Sequence, residues 1–260
     1  MRQFDVFVFD ENFDETQGTY PQPPFTDQEL GWFFTNDWNR HLNEIEGEWV
    51  VFAQPCVKID RGFLNNVADV TDSFPMVDAF APRIRTNDKK FWGGYILRSP
   101  IKGSGFVEID ENAPMRYVAA PRTEIAIFSR RIIQRTGGFD ITLPPSARLA
   151  DFTLRMMHAG GKMFSVPYLV AQVENPIPES STAEQRGKVQ ESQPGTSLSL
   201  KATAIILSKA FGIEASLPFA LHHPSVIPTL LRNRKERKEK RKAATLLSKL
   251  TKDFLAEITE

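Results

Sequence analysis

The sequence has little of several features that assign a chain to a class at once. It contains one cysteine in 260 residues, Cys56, so an internal disulfide is excluded and a reducing compartment is indicated. It contains no run of about 18 apolar residues, so no membrane-spanning helix is predicted. Its N-terminal stretch, MRQFDVFVFDENFD, has no apolar segment of the kind that secretion signals carry. These absences predict a cytoplasmic protein.

Charge is balanced, and the common metal-binding and cofactor-binding patterns are missing. The chain has 32 Lys and Arg against 32 Asp and Glu residues, so no nucleic-acid partner is indicated. One cysteine and four scattered histidines provide no zinc-binding spacing. Phosphate-loop, dinucleotide-binding and G-x-S-x-G patterns are absent too. With 41% hydrophobic and 25% charged residues, the composition is that of an ordinary globular protein.

The first part of the chain predicts alternating strands and helices. Residues 4–9 (FDVFVF) and 49–53 (WVVFA) have the pattern of strands, and between them 37–47 carries apolar residues on one helical face. Residues 10–27, rich in acids and proline, predict a loop. Residues 60–118 predict short strands and loops. The strand–helix–strand order favours parallel strands covered by helices.

The remaining elements follow from the same periodicities. Further strands are predicted at 123–129 and 162–173, and helices at 130–136, 150–161, 198–212 and 229–258. The pairs Gly137-Gly138 and Gly160-Gly161 follow two of these helices and can end them. The second half of the chain is therefore predicted to add strands to the sheet and then to become helical.

Composition divides the chain into three predicted segments. They are an α/β domain at 1–173, a polar, Pro/Ser-rich linker or loop at 174–198, and a helical extension at 199–260. Within the extension, residues 232–242 hold eight basic residues against two glutamates. A solvated helix face is the ordinary interpretation. The alternative is peripheral attachment to an anionic membrane, at about 1 kcal/mol per well-placed cation, or to a partner protein. The sequence predicts no oligomeric state.

Five stretches, taken in order, form a larger pattern. They are FVFDENFDET (7–16), NRHLNEIEGEW (39–49), QPC (54–56), VDAFAPRI (77–84) and IFSRRIIQRTGGFDITLPPSARLADFTLRMMHAGGKMFSVP (127–167). This ordered set resembles the motifs of the large inverting, family 2-like group of nucleotide-sugar glycosyltransferases with the GT-A fold, nearest its rhamnosyltransferase-like branch. In the last stretch the resemblance depends on Arg131, Gly137, Gly138, Phe139, Asp140, Asp151, Arg155, Gly160 and Pro167.

The resemblance implies a fold and an activity. The implied fold is a GT-A-like α/β domain with a mostly parallel central sheet flanked by helices, truncated at the N-terminus because it begins at the family's second strand, with a C-terminal helical extension. The implied activity is transfer of a sugar from a nucleotide-sugar donor to a glycan or cell-surface polysaccharide acceptor. The alternative is a catalytically inactive binding or scaffolding module that partners an active transferase.

The slot that normally binds the metal departs from the family pattern. A D-x-D or N-P-D sequence is expected after the strand 49–53, and Gln54 and Cys56 stand in place of its acids. Mg and Mn prefer oxygen ligands, and a thiol is a soft ligand, so either ion would be held only through non-standard ligands. No metal ligand is therefore predicted and no cofactor is certain. Cys56 is ordinarily interpreted as a small buried apolar residue.

The slot that normally supplies the catalytic base departs as well. The family's E-D-x-D is RLAD here, so Arg148 and Leu149 stand in place of the first two acids and only Asp151 is left. The resemblance implies Asp151 and Glu124 as the catalytic carboxylates that remain, with a metal-independent reaction as one alternative. A helix cap is the other interpretation of Asp151.

The residues predicted to bind the nucleotide sugar are scattered along the chain. They are Asp10, Asn12, Asp14, Gln54, Cys56, Asp78, Arg83 and Arg122. The two acids of the loop, Asp10 and Asp14, suit a ribose or a uracil edge, although ordinary turn chemistry also explains them. Arg83 and Arg122 could pair with phosphates in place of a metal, and structural arginines are the alternative.

Overall fold

The structure is a computed structural model, and it describes residues 3–10, 13, 23–25, 30–86, 91–98, 105–110, 112–173, 199–211, 213–231 and 252–259. The predicted linker 174–198 and the basic run 232–242 lie outside the described residues. None of the helices in the described ranges is long and apolar enough to cross a membrane.

The strands follow one another in short segments along the first 173 residues. In chain order they are β1 (Phe4–Phe9), β2 (Leu30–Thr35), β3 (Trp49–Ala53), β4 (Val57–Lys58), β5 (Ala79–Phe80), β6 (Arg83–Thr86), β7 (Phe91–Trp92), β8 (Tyr95–Leu97), β9 (Phe106–Glu108), β10 (Arg116–Tyr117), β11 (Ile125–Ser129), β12 (Met163–Ser165) and β13 (Val170–Val173). The strands predicted at 4–9, 49–53 and 123–129 are confirmed.

The helices lie between and after these strands. They are α1 (Arg61–Ser73), α2 (Arg130–Thr136), α3 (Pro145–His158), α4 (Leu200–Ala210), α5 (Ile213–His222), α6 (Ile227–Leu231) and α7 (Lys252–Glu257). The helices predicted at 130–136 and 198–212 are confirmed; the helix predicted at 150–161 is also present, but it begins five residues earlier, at Pro145, and ends at His158. The long helix predicted at 229–258 falls mostly outside the described residues, which contain only its two ends.

A seven-stranded sheet forms the centre, in the order β10-β12-β5-β11-β3-β1-β2. Five of its strands run in one direction, and only β11 and β10 run in the other. A smaller sheet, β4-β13-β6-β7, and the pair β8-β9 lie beside it. The predicted mostly parallel central sheet flanked by helices is therefore confirmed.

Successive side chains of the central strands point to opposite faces of the sheet, and both faces are buried. Phe7 of β1 and Phe52 of β3 belong to a core that α2, α3 and α4 cover, and the C-terminal helices contribute Ala204 and Leu207 to the same core. Val6 belongs to a second core on the opposite face, which α1 and β13 cover. Helices therefore protect both faces, as a sheet of mostly parallel strands requires.

The helix predicted at 37–47 is wrong. The segment forms turns and a short 3₁₀ helix at Leu42–Glu44 instead. Its polar groups are used in tertiary contacts: Asn39 Nδ2 donates to the Phe139 carbonyl at 3.0 Å, and the Phe139 N–H donates to Asn39 Oδ1 at 2.7 Å. The Gly47 N–H donates to Asp5 Oδ2 at 2.7 Å. Because partners elsewhere in the fold satisfy these groups, an α-helix is not formed despite the apolar spacing.

Two further differences concern the second core. Helix α1 lies in a region predicted as strands and loops, although Asp60 caps it by accepting from the Phe63 N–H at 2.8 Å. The segment 162–173 is not one strand, because Pro167 separates β12 in the central sheet from β13 in the smaller sheet. Strand β2 was not predicted at all. Sequence periodicity alone misassigned these elements because short apolar runs suit both strands and helices.

Candidate functional site

The central strands end together at one edge of the sheet. Strand β1 lies between β2 and β3 and is parallel to both. The chain therefore goes from β1 to β2 on one side of it, and then crosses to form β3 on the other side. Ligands of open α/β sheets bind outside the carboxyl ends of the strands at such a reversal of strand order. We call this the carboxyl edge; β1, β2 and β3 end there, and Asp10, Asn36 and Gln54 are the residues that directly follow them.

A cavity of about 300 Å³ opens at the carboxyl edge, on the α1 side of the sheet. We call it the edge cavity. Its described lining residues are Val8, Asp10, Phe13, Pro24, Trp32, Phe34, Pro55, Val57, Lys58 and Ile59. A mostly apolar and aromatic lining with few polar groups is typical of sites for small molecules and cofactors.

The aromatic side chains of the edge cavity contact one another. The Trp32 ring lies 6.3 Å from the Phe34 ring in a stacked orientation and 5.7 Å from the Phe25 ring in an edge-on one. The Arg61 guanidinium lies over the Phe25 ring at 5.6 Å. Within the described part of the chain, the buried Nε1 of Trp32 has no hydrogen-bond partner. The cavity thus offers flat aromatic rings to a planar ligand.

The QPC stretch forms a tight turn at the carboxyl edge. The Val57 N–H donates to the Gln54 carbonyl at 3.0 Å, and Cys56 Sγ lies 3.9 Å from Gln54 Oε1. The Gln54 N–H donates to the Glu124 carbonyl at 2.9 Å, which places the start of β11 beside the turn. Of the ten predicted site residues, Asp10, Gln54, Cys56 and Glu124 therefore lie at or beside this edge.

The described side chains at this edge do not fit the Mg or Mn site of the family pattern. Across the described ranges, no three His, Cys, Asp or Glu side chains are close enough to hold a metal ion. Gln54 offers one neutral oxygen and Cys56 a thiol, whereas Mg and Mn bind through several oxygen ligands. Asn12 and Asp14, predicted to bind the donor, lie outside the described residues.

A half-buried ion cluster joins the turn before β11 to strand β9. Arg122 donates to both oxygens of Glu124, at 2.8 and 3.2 Å, and to Glu108 Oε1 at 2.5 Å. Burial raises the pKa of Glu108 to about 7, with the neighbouring Glu124 adding to the rise and Arg122 opposing it. Sequence reasoning missed Glu108, because nothing in the stretch GFVEID indicates that β9 faces Arg122.

Replacing Glu108 by glutamine should remove a pH dependence of stability. A carboxyl group whose pKa is about 7 in the folded chain and near 4.5 when unfolded binds its proton more tightly in the folded chain. The free energy of unfolding therefore falls as pH rises from about 4.5 to about 7, by about 1–3 kcal/mol. Urea denaturation at pH 5 and pH 8 should show this fall in the natural chain and not in Glu108→Gln.

The control for this experiment is Glu48→Gln, because Glu48 is exposed at the other edge of the sheet, next to β3. This control should keep the natural fall in stability. The same fall in Glu108→Gln would contradict the assignment.

Asp151 lies away from this cluster, in the interface between α3 and α4. Its side chain is only 2% exposed and pairs with Arg155 Nε at 3.0 Å and Lys209 Nζ at 2.6 Å. Lys209 also contacts Asp140 at 2.7 Å, and although burial alone would raise the pKa of Asp140, hydrogen bonds from Lys209 and Thr142 lower it. Because α3 begins at Pro145, the interpretation of Asp151 as a helix cap is wrong.

Asp78 lies at the opposite edge of the sheet. The Ser129 N–H donates to the Asp78 carbonyl at 2.8 Å. Ser129 in turn pairs with Trp49, the first residue of β3, whereas Gln54 comes directly after the last residue of β3. Five residues of strand, about 16 Å, therefore separate the levels of Asp78 and Gln54. The Asp78 carboxylate pairs with Arg131 at 2.6 Å.

Arg83 is in the interior, at the start of β6. It is 3% exposed, and its guanidinium donates to the Ala113 carbonyl. Burial lowers its pKa, with Asp110 opposing the change. The two arginines predicted to face phosphates, Arg83 and Arg122, thus both have protein partners in the structure.

No protein-family model matches the sequence, and no curated protein is significantly similar to it. Among solved structures, GalNAc-T7 with UDP, GalNAc and Mn²⁺ aligns with a TM-score of 0.57 at 11% identity, over 98% of this chain and 57% of that one. TarS of S. aureus with UDP-GlcNAc aligns with a TM-score of 0.45 at 13% identity, over 93% and 79%. Mannosyltransferase PcManGT from Pyrobaculum calidifontis with GDP-Man and Mn²⁺ aligns with a TM-score of 0.41 at 15% identity, over 94% of this chain and 74% of that one.

The chain spans a little over half of the GalNAc-T7 chain, 57% of its length. At 11% identity the alignment concerns the fold, and function depends on the site built upon it. The likeness and the mixed, helix-flanked sheet together show that this chain has the GT-A fold of nucleotide-sugar glycosyltransferases.

Proposed function

We propose that the chain is a glycosyltransferase-like protein that binds a nucleotide-sugar donor at the carboxyl edge and transfers its sugar to a glycan or cell-surface polysaccharide acceptor. In this proposal the nucleotide base occupies the edge cavity, against the rings of Trp32 and Phe34. Asp10, at the end of β1, accepts hydrogen bonds from the ribose or the base. The acceptor lies on the Glu124 side of the QPC turn, where Glu124 is the proposed base.

The observation that supports this proposal best is the position of the edge cavity. It lies where the strand order reverses around β1, and Asp10 and Pro55 line it from the two adjacent strand ends. A planar base stacked on aromatic rings gains about 1–3 kcal/mol per base. Asp10 also lines the cavity and can accept hydrogen bonds from the ribose or the base, which supports a nucleoside as the proposed ligand.

Calorimetry with UDP-, GDP- and dTDP-linked nucleotides tests the proposal. We expect at least one nucleotide to bind, and we expect Trp32→Leu to weaken it by about 10-fold or more, because the largest ring of the cavity is lost. Tyr168→Leu is the matched control, since Tyr168 is 56% exposed and does not line the cavity. Failure of every nucleotide to bind more tightly than about 1 mM would end the proposal.

A catalytically inactive module is the second candidate, and the surroundings of Asp151 favour it. The resemblance matches this residue to the last acid of E-D-x-D, yet its carboxylate is 2% exposed and held by two cations. Leu149, matched to the usual base, is 1% exposed and cannot accept a proton. A chain of this kind would keep donor binding and lose transfer.

Turnover separates the two candidates. The chain is incubated with each nucleotide sugar that binds, with and without glycan acceptors, and the released nucleoside diphosphate is measured. Acceptor-dependent release supports the transferase. Binding without release in any combination supports the inactive module, which would then partner an active transferase.

A further inference from the structure

Resting on the proposed function, we propose that Lys58 binds the phosphates of the donor nucleotide and takes the place of a divalent cation at this site. A nucleoside diphosphate carries several negative charges that its binding site has to balance. The QPC turn supplies no carboxylate to hold a metal ion there, and no other metal-binding group is found in the described ranges. A cationic side chain at the cavity would supply compensating charge directly.

The position of Lys58 suits this role. It lies in β4, directly after the QPC turn, and its main chain is held by pairing with Gln172 of β13. Val57 and Ile59 on either side are buried, whereas Lys58 is exposed and lines the edge cavity together with Asp10. The lysine stem can therefore cover the apolar lining while its ammonium group reaches the rim. A lysine acts as a point charge in many phosphate sites.

Three arginines considered for the same role already have protein partners. Arg122 is held by Glu108 and Glu124, and Arg83 is buried with its guanidinium on the Ala113 carbonyl. Arg61 lies over the Phe25 ring. Lys58, by contrast, forms no ion pair with any residue that the structure describes. Among the described residues that line the edge cavity, Lys58 alone is positively charged.

The test compares a nucleoside with its mono- and diphosphate by calorimetry, using the base that binds best. We expect each phosphate to strengthen binding to the natural chain equally in EDTA and in Mn²⁺. We expect Lys58→Gln to weaken diphosphate binding by about 10-fold or more and nucleoside binding by much less, because the nucleoside carries no phosphate. Lys58→Arg should keep most of the diphosphate affinity, because it keeps the charge, and added salt should reduce the difference between the natural chain and Lys58→Gln.

Lys201→Gln is the control, since Lys201 is exposed on α4 and distant in sequence from the cavity. Equal melting temperatures would show that the variants are folded. Diphosphate binding that requires Mn²⁺ and is the same in Lys58→Gln would overturn this proposal while leaving the proposed function intact. A chain that binds neither nucleoside nor nucleotide would overturn both, so the two failures are distinguishable.

Discussion

Replacing Lys209 by methionine is expected to lower the free energy of unfolding by about 3 kcal/mol. The Lys209 ammonium lies between two carboxylates, 2.6 Å from Asp151 and 2.7 Å from Asp140. Methionine has a similar length and no charge, so the stem would still pack while both carboxylates lost a cation. Asp151 keeps Arg155 as a partner, which limits the loss. Urea denaturation of the two chains at pH 7 measures the difference.

The reason for the size of this effect is burial. Lys209 is 8% exposed and Asp151 2%, so water cannot replace the lost contact. Exposed ion pairs contribute only about 0–1 kcal/mol, whereas removing one partner of a buried pair leaves an uncompensated charge. The pair also joins α4 to α3, so its loss should loosen the C-terminal helices from the core.

A matched control lies on the same helix. Lys201 is exposed on α4, so Lys201→Met should change stability by less than about 0.5 kcal/mol. Adding Asp140→Asn to Lys209→Met should restore part of the loss, because Asp140, unlike Asp151, is the carboxylate that Lys209→Met leaves without its cation. Equal stability of Lys209→Met and Lys201→Met would contradict the buried-network interpretation.

Replacing Asp5 by alanine is expected to lower the free energy of unfolding by about 2–4 kcal/mol. Asp5 is fully buried in β1, and its Oδ2 accepts from the main-chain N–H groups of Glu46 and Gly47 at 2.8 and 2.7 Å. Alanine would leave both N–H groups without this acceptor. The loop that joins β2 to β3 would then lose its connection to β1, close to the start of three central strands.

Asp5→Asn separates the hydrogen bonds from the packing. Its amide oxygen can still accept from both N–H groups, although without the charge that strengthens such bonds, so a smaller loss is expected. Thermal and urea denaturation of the natural chain and both variants measure the three stabilities, which are expected to decrease from the natural chain to Asp5→Asn and then to Asp5→Ala. Stability of Asp5→Ala at or above that of Asp5→Asn would show that the two hydrogen bonds contribute little.

The elements that sequence predicted well are those whose signals are local. In α2, Ser129 caps the start by accepting from the Ile132 N–H at 3.3 Å, and Gly137 ends it with a φ of 82°. Strands β1, β3 and β11 are apolar enough to be buried on both faces. Each of these signals acts within a few residues, so it survives whatever the rest of the chain does.

The misassigned elements depend on distant partners. The segment 37–47 has the apolar spacing of a helix, but Asn39 and Gly47 bond to residues that are far away in the sequence or belong to another element. No propensity could indicate those partners. In the same way, Lys209 has the ordinary appearance of a helix-surface lysine until the fold brings Asp140 and Asp151 around it.

The candidate site also combines features that the sequence predicts with features that depend on distant partners. From sequence, Asp10 and Gln54 could be expected near one edge, because both follow strands predicted to be parallel, and the QPC stretch between two strands contains no carboxylate. The partners of Arg122 and Asp151, and the exposure of Lys58 at the edge cavity, could not. They depend on which strands become neighbours.

The amino-acid sequence by itself determined the strand–turn–helix signals, the class of fold they form and the absence of a carboxylate from the QPC turn, because these depend on residue type and on contacts within a few positions. Only the tertiary structure decided which charges are neutralised and which still face a cavity. Burial and ion pairing depend on groups brought together from distant parts of the chain, as with Glu108 and Arg122, or Lys209 and Asp151.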